Sequence, residues 1–246
     1  MFKRFKEKYI KNTLAYKSYR IKKFKPFVSY SSFGEEILVN RIFKNKKDGF
    51  FVDVGAFNPV VGSLTKTLYD KGWKGINLDF SETNINLFKI FRKRDISVQT
   101  GVSDKNIVKK SFTFDPSSGT NTLNEKYAQG WAKKFYKNYE IKNVKCKTLN
   151  SILEENNIIK NFDYLNIDVE AHDYEVLRGI DLNLFKPKLI TCEIIGDLRK
   201  ISKKNSDMYF TTTEELVTSK INKYLSKFKY KLVSQYYLTA FFIKEI

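Results

Sequence analysis

Residues 50–59 read FFVDVGAFNP, in which an apolar run is followed by an acid and a glycine. The apolar residues 50–52 predict a buried strand, Asp53 lies at its carboxyl end, and Gly55 allows a sharp turn before a helix predicted from Ser63. In an open α/β sheet, the carboxyl ends of parallel strands form the crevice that binds ligands. The sequence therefore predicts a binding site at the end of this strand.

The next predicted strand, residues 75–80 (GINLDF), carries a second carboxylate, Asp79, near its end. It follows the glycine turn by roughly 20 to 30 residues, a spacing at which an acid reaches the hydroxyls of a bound ribose. The turn itself lacks the GxGxxG pattern of nicotinamide dinucleotide sites, and the chain contains no P-loop pattern. A nucleoside-containing cofactor is therefore the first hypothesis.

The composition is that of one folded, basic α/β domain with a short extension. The 246 residues are 42% hydrophobic, enough for a full core, and carry a formal net charge of +18. No apolar run is long enough to span a bilayer, and the amino terminus lacks the apolar core of a secretory signal. The two cysteines, Cys146 and Cys192, are expected to stay reduced, so we predict a cytoplasmic protein.

Much of the positive charge lies at the amino terminus. Residues 1–25 hold ten Lys or Arg against one Glu, which is half of the net charge, and six aromatic residues are interleaved with them. The spacing predicts an amphipathic helix that either docks on the domain or lies on an anionic membrane surface, and a solvated arm is an equally good interpretation. We divide the chain into a basic arm, residues 1–28, and a domain, residues 29–246.

The remaining chain alternates predicted helices and strands. The expected helix starts are Ser32 (in a capping box with Glu35), Ser63, Ser81, Thr148, Asp173 and Thr211 (in a capping box with Glu214). The expected strands are 96–102, 111–114, 144–148, 164–167 and 189–195, followed by a closing hairpin of 231–235 and 239–243. Two polar stretches, 115–130 and 196–210, are interpreted as loops, and the first is long enough to cover an active site.

Four acidic residues fall at or near the ends of predicted parallel strands: Asp53, Asp79, Asp168 and Glu193. Any one of them could be a helix cap or a solvated loop residue. Four carboxylates on one rim of a sheet, however, repel one another unless a cofactor amine or a divalent metal lies among them. Oxygen ligands such as Asp168 and Glu193 suit Mg²⁺ or Mn²⁺ better than Zn²⁺.

A second cluster of chemically active side chains occupies residues 166–173, NIDVEAHD, which include His172, the only histidine of the chain. A lone histidine is more often structural or exposed, but this one follows an acidic strand end and lies beside Glu170 and Asp173. A histidine with a near-neutral pKa can take the proton of a hydroxyl as group transfer begins. We therefore predict His172 or Glu170 as a general base.

With these motifs the chain resembles the FkbM family of S-adenosylmethionine-dependent methyltransferases over about residues 30–245. The matching stretches are SFGE at 32–35, FFVDVGAFNP, SLTKTLYDKGWKGINLD at 63–79, TGVSD at 100–104, NTL at 121–123 and LNIDVEAHDYEVLRGI at 165–180. The resemblance implies an α/β, class I methyltransferase (Rossmann-like) fold. Such a fold has a seven-stranded sheet with an antiparallel last strand, helices on both faces, and S-adenosylmethionine as cofactor.

The resemblance also implies roles for individual residues. Those near the cofactor would be Asp53, Gly55 and Ala56 at its methionine end, Asp79 at the ribose hydroxyls, and Ser103 and Asp104 near the adenine. Two departures from the family pattern occur: residues 57–59 (FNP) replace the commoner Asn-x-Gly after the glycine turn, and Ala171 replaces a glycine.

Family members mostly methylate hydroxyls, often on sugars of surface polysaccharides or on natural products. Related sugar O-methyltransferases hold a divalent metal at the strand ends that correspond to Asp168 and Glu193. The resemblance thus implies O-methyl transfer to a nucleotide-linked sugar or to a surface-polysaccharide (capsule or lipopolysaccharide) sugar. The net charge leaves a nucleic-acid methyltransferase as an alternative, although no base-recognition motif supports nucleic acid as a partner, and the arm leaves a non-catalytic membrane-surface scaffold.

Overall fold

The computed structural model describes residues 10–11, 13–24, 26–115, 118–135, 138–195 and 211–245. The strands are β1 Phe50–Val54, β2 Lys74–Asp79, β3 Ile96–Gln99, β4 Gly101–Ser103, β5 Ile107–Thr113, β6 Glu140–Thr148, β7 Tyr164–Ile167, β8 Leu189–Glu193, β9 Tyr230–Tyr236 and β10 Thr239–Lys244. The helices within these ranges are α1 Leu14–Lys22, α2 Glu36–Ile42, α3 Lys66–Asp70, α4 Glu82–Phe91, α5 Glu125–Lys134, α6 Leu149–Glu155, α7 Asp173–Arg178, α8 Thr213–Thr218 and α9 Lys220–Ser226.

Seven strands form the central sheet in the order β3-β2-β1-β7-β8-β10-β9. The first five of these pair in parallel, while β10 runs antiparallel to both β8 and β9. The predicted closing hairpin is therefore confirmed, with one residue more at each end of β9 and one more at the end of β10. The architecture is the predicted class I methyltransferase fold.

The sheet is buried on both faces, which explains the continuous apolar run of β1. Successive side chains of a strand point to opposite faces, so Phe51 packs with α2 and α3 while Val52 packs with α6 to α9. Cys192 belongs to the second of these cores, and both it and Cys146 are buried free thiols.

A separate three-stranded sheet, in the order β4-β6-β5, corrects the prediction for residues 96–148. The predicted strand 96–102 is broken at Thr100, after which β4 leaves the central sheet to pair with β6. Gly101 permits this close pairing, because a Cβ there would lie 2.5 Å from the Cys146 sulfur. The strands β5 and β6 begin earlier than predicted, because their outer residues are exposed and mix apolar with lysine and other polar side chains in no regular period.

The predicted loop 115–130 is also corrected, because its second half enters α5. The Asn124 side chain caps this helix by accepting a hydrogen bond from the Tyr127 amide, and Tyr127 and Ala128 are buried. These two are the buried residues of this ten-residue helix, whose first half lies in the polar stretch interpreted as a loop. The other predicted loop, 196–210, lies outside the described residues.

Two of the predicted helix caps are present in the structure, and three helices begin at other residues than predicted. The hydroxyls of Ser81 and Thr148 cap α4 and α6 as expected. The second capping box joins Thr212 to Glu215, one residue later than predicted, because Thr211 instead donates its hydroxyl hydrogen to the Ile194 carbonyl. Neither predicted serine at the starts of α2 and α3 makes a side-chain cap: these helices begin after Glu35 and Thr65.

In the described part of the arm, Thr13 is the N-cap of α1, because its hydroxyl accepts a hydrogen bond from the Tyr16 amide. No residue of α1 is buried. Among the described residues, no helix combines the length and the hydrophobicity that crossing a bilayer requires. The division between arm and domain at residue 28 stays a prediction.

Candidate active site

A cleft opens at the carboxyl ends of β1 and β2, where the sequence predicted a cofactor. It encloses about 530 Å³, a size typical of small-molecule sites. Asp79 lines it at the end of β2 and Gly55 lines it at the turn after β1, while Phe80, Val102 and Leu123 are among its apolar residues. A carboxylate close to apolar side chains suits a nucleoside, which has ribose hydroxyls beside a flat base.

Three donors hold the Asp79 carboxylate in a fixed orientation. The backbone amides of Phe57 and Ser81 donate to it at 3.0 and 2.7 Å, and the Asn84 side chain donates at 3.1 Å. Burial nevertheless raises the pKa of Asp79 above its ordinary value. A carboxylate accepts about four hydrogen bonds, so capacity remains for a ligand hydroxyl. Asn84 was missed by the sequence analysis; its only signal is a polar side chain on the buried side of α4.

A second hollow of about 680 Å³ adjoins the cleft, and Asp53, Ala56, Asn166 and Glu170 are among its lining residues. Both spaces share Gly55, Phe57, Gly119 and Asp168, so one elongated ligand can extend from one into the other. Phe57 adopts a left-handed backbone with φ 52°. The predicted methionine-end residues thus line the second hollow, next to the predicted ribose-binding acid.

Asp53 is the end point of a buried hydrogen-bond network. Its two oxygens accept from the Asn166 amide at 2.8 Å and from the Thr65 hydroxyl at 2.7 Å. Thr65 accepts in turn from Arg92 at 2.8 Å, and Asn166 accepts from Thr191 at 2.7 Å. Each of these four hydrogen bonds is donated in the direction of Asp53. Burial raises its pKa, while these bonds and the positive charge of Arg92 act in the opposite direction.

Arg92 was also missed by the sequence analysis, because it sits in a basic stretch that looks solvent-exposed. Its guanidinium is completely buried and donates to the Pro59 carbonyl at 2.8 Å and to the Ser63 hydroxyl at 2.6 Å, besides Thr65. The same side chain therefore connects the turn after β1 to the network that holds Asp53.

Three carboxylates converge next to the cleft: Asp168, Glu170 and Glu193 have oxygens that all lie within 4.8 Å of one another. The structure thus brings together the predicted metal pair and adds Glu170 to it. Burial, followed by repulsion from neighbouring carboxylates, raises the pKa of Asp168 to about 7 and that of Glu170 to about 8. The pKa of Glu193 is also raised well above its ordinary value for the same reasons.

The donor set of this carboxylate cluster fits a hard divalent cation. Among the described residues, no Lys or Arg pairs with these acids, and one oxygen of Glu193 is buried without a hydrogen-bond partner. The neighbouring Asp173, which is 2% exposed, also has an unpartnered buried oxygen. An all-oxygen set with unsatisfied buried acceptors is the environment that Mg²⁺ or Mn²⁺ favours.

The backbone around Glu170 is held in an uncommon conformation. Glu170 and Ala171 are both left-handed, with φ 55° and 67°. The Thr122 hydroxyl donates to the Glu170 carbonyl at 2.6 Å, the Asn124 amide donates to the Ala171 carbonyl at 2.8 Å, and the Tyr127 hydroxyl donates to the Glu170 carboxylate. Ala171 therefore keeps the conformation that a glycine favours, at an expense of roughly 1–2 kcal/mol for the left-handed backbone.

His172 lies apart from the residues that line the two spaces. It is 3% exposed, and its Nε2 is 3.1 Å from the Ser103 hydroxyl. Burial, and then the positive charge of Lys109, lower the pKa of His172 to about 4, so the ring is neutral near pH 7. Asp104 forms an ion pair with Arg178 at 3.4 Å, and neither Ser103 nor Asp104 lines the cleft. Their predicted roles at the adenine, and that of His172 as a base, stay predictions.

The sheet order and the cleft at the ends of β1 and β2 define a class I methyltransferase. The family model for the methyltransferase FkbM domain matches residues 53–232, and the chain belongs to this family. The family is one of methyltransferases, and it implies S-adenosylmethionine as the methyl donor.

No curated protein matches this chain. Among solved structures, the crystal structure of the small RNA methyltransferase HEN1 is similar, with 15% sequence identity and a TM-score of 0.40 over 90% of this chain and 28% of that one. The chain thus spans little more than a quarter of the length of that protein.

The carboxylate cluster predicts an unusual pH dependence of stability for the metal-free protein. The raised pKa values of Asp168 and Glu170 mean that the folded state binds more protons than the unfolded state between the ordinary values, near 4, and about 7 to 8. Their contribution to stability is therefore fully present below the ordinary values and is lost as the pH rises through the raised ones. We expect the melting temperature in EDTA to fall between about pH 6.5 and pH 8.

His172 titrates in the opposite direction, but only below its ordinary value of 6.5, so this window isolates the acids. Calorimetric melting at stepped pH, with EDTA or with Mn²⁺, measures the effect, and Glu170→Gln should reduce the slope. A melting temperature that stays constant or rises across the window in EDTA contradicts the raised pKa values.

Proposed function

We propose that the protein is an S-adenosylmethionine-dependent O-methyltransferase that methylates a sugar hydroxyl, on a nucleotide-linked or a surface-polysaccharide (capsule or lipopolysaccharide) sugar. The observation that carries the proposal is the carboxylate cluster, whose member Asp168 also lines the cofactor cleft. A sugar hydroxyl is a weak nucleophile that needs a base and a nearby positive charge. A group of acids can provide the base and also bind a cation. Such substrates agree with a cytoplasmic enzyme.

The cleft fits the cofactor. Asp79 would accept the ribose hydroxyls, Phe80 and Val102 would contact the adenine, and the methionine part would extend past Gly55 towards Asp53, whose charge suits the amino group. When bound, S-adenosylmethionine supplies a methyl group activated by its sulfonium. The buried network behind Asp53 keeps this acid oriented before the ligand arrives, which reduces the entropy lost on binding.

Asp168 and Glu193 would hold a divalent metal, Mg²⁺ or Mn²⁺. When bound, such an ion supplies a positive charge that orients the hydroxyls of the acceptor and stabilises the developing alkoxide. Without it, the unpartnered oxygen of Glu193 remains buried at a free-energy penalty. Glu170 lies close enough to share this role.

We assign the general base to Glu170 rather than to His172. Glu170 lines the second hollow, the Tyr127 hydroxyl orients its carboxylate, and its pKa of about 8 lies near a neutral working pH. Glu170 would take the proton of the acceptor hydroxyl as the oxygen bonds to the methyl carbon. The broken carbon–sulfur bond leaves its electron pair on sulfur, and S-adenosylhomocysteine departs. His172, which is bonded to Ser103, would position the segment that carries Glu170.

The acceptor would occupy a third hollow of about 560 Å³ that Glu193 lines. Its described lining includes Asp173, Tyr174 and Lys220. The ring of Tyr174 offers an apolar face to a sugar. The Lys220 ammonium lies 5.9 Å from the centre of that ring, and its charge suits the phosphates of a nucleotide-linked sugar.

The test is transfer of a labelled methyl group to a panel of nucleotide-linked sugars and purified capsule or lipopolysaccharide. We expect Glu170→Gln to keep S-adenosylhomocysteine binding but to lose most transfer, and we expect His172→Asn to retain transfer. Transfer to RNA or DNA, with a steep dependence on salt, would instead favour the nucleic-acid alternative that the net charge of +18 suggests. Full transfer by Glu170→Gln would refute the assignment of the base.

A further inference from the structure

The described part of the arm exposes an unusual concentration of large apolar side chains. Seven exposed large hydrophobic residues fall within residues 10–28. Leu14, Ile21, Phe24 and Val28 are 81%, 75%, 74% and 64% exposed. Single exposed apolar residues are normal on a soluble protein, but a cluster of them indicates a surface that meets an apolar partner.

The same segment is uniformly basic. Residues 10–28 contain six Lys or Arg and no acidic residue. On α1, Leu14 and Ile21 are seven residues apart, so two turns bring them to the same side of the helix, whereas Arg20 and Lys22 point in other directions. An apolar stripe beside basic side chains is the pattern of a helix that lies in the plane of a membrane interface.

We propose that residues 10–28 bind the surface of a membrane that carries anionic lipids. The apolar side chains would enter the boundary between headgroups and acyl chains, and the lysines and arginine would remain at the headgroups. The charge opposes association of two such arms with each other, because like charges repel. Nucleic acids are bound through basic side chains at the phosphates and aromatic side chains that stack on bases. Exposed aliphatic side chains contribute to neither kind of contact. The proposal does not depend on the identity of the methyl acceptor.

The experiment is flotation of the full chain with vesicles of mixed phosphatidylcholine and phosphatidylglycerol, compared with vesicles of phosphatidylcholine alone. We expect binding to the mixed vesicles, weakened by salt, and little binding to the neutral ones. Replacing Lys17, Arg20, Lys22 and Lys23 together by Gln should weaken binding several hundredfold, because each basic residue near the surface contributes about fivefold.

A matched control replaces four exposed lysines of the domain by Gln, namely Lys44, Lys47, Lys89 and Lys93. It has the same net charge as the arm variant and should bind the vesicles within a few-fold of the unaltered protein. The double variant Leu14→Ser, Ile21→Ser tests the apolar contribution separately and should bind at least tenfold more weakly. Binding of S-adenosylhomocysteine, measured on every variant, verifies that the domain is folded.

Three results would overturn the proposal. The first is equal flotation of the arm variant and the control, and the second is equal binding to neutral and mixed vesicles. The third is absence of binding together with a concentration-dependent dimer or with retention on RNA, which would identify a second copy or a nucleic acid as the occupant.

Discussion

Asp79→Ala should reduce the affinity for S-adenosylhomocysteine by about 10- to 100-fold. A hydrogen bond from a ribose hydroxyl to this charged acceptor contributes roughly 1.5–3 kcal/mol, and every 1.4 kcal/mol is a factor of ten in affinity. The substitution also leaves the amides of Phe57 and Ser81 and the side chain of Asn84 without the acceptor that they share. The substitution thus removes the contact to the ligand and also the hydrogen bonds that order this side of the cleft.

Calorimetric titration measures this effect, and Asp104→Ala is the matched control. The family resemblance implies that Asp104 lies near the adenine. In the structure, however, Asp104 forms an ion pair with Arg178 and does not line the cleft. We expect Asp104→Ala to bind S-adenosylhomocysteine within a few-fold of the unaltered protein. Equal losses in the two variants would support the sequence-based role of Asp104, and undiminished binding by Asp79→Ala would remove the ribose contact from the description of the site.

Glu193→Gln should lower the affinity for Mn²⁺ by at least about 100-fold, since even residues behind the direct ligands of a metal contribute 10- to 100-fold. The same substitution should raise the melting temperature of the metal-free protein. Glu193 is buried among carboxylates that raise its pKa, so a neutral amide of the same shape removes both desolvation and repulsion. Loss of binding with gain of stability distinguishes a functional acid from a structural one.

Glu175→Gln is the control for this experiment, because Glu175 is a more exposed acid on α7 that belongs to no carboxylate cluster. It should leave both Mn²⁺ affinity and melting temperature nearly unchanged. The interpretation fails if Glu193→Gln destabilises the metal-free protein while Mn²⁺ binding persists, since Glu193 would then be a structural residue.

The sequence predicted those parts of the molecule that depend on local pattern. The apolar run of β1, buried on both faces, and the closing hairpin of β9 and β10 each carry their own signal, and strand ends determine where Asp79, Asp168 and Glu193 lie. Contacts between distant segments carry no such signal. The Tyr127 hydroxyl meets Glu170 across a separation of 43 residues, from a helix inside a stretch interpreted as a loop.

The small sheet shows a second limit of sequence analysis. The outer residues of β5 and β6 mix lysines with exposed apolar residues, so neither an apolar period nor a buried run marks them as strands. Which sheet a strand joins depends on pairing between distant segments. The pairing of β4 with β6 needs a residue without a Cβ at Gly101, but the sequence around Gly101 does not reveal which strand lies beside it.

Arg92 has a consequence for attempts to redesign the cofactor site. Because one buried guanidinium holds the Pro59 carbonyl, Ser63 and, through Thr65, the Asp53 carboxylate, the loop after β1 and that acid cannot be exchanged independently. A chimera that imports the commoner Asn-x-Gly loop from a relative would have to keep the backbone carbonyl of position 59 within reach of the Arg92 guanidinium. The loop and the arginine therefore have to be redesigned together.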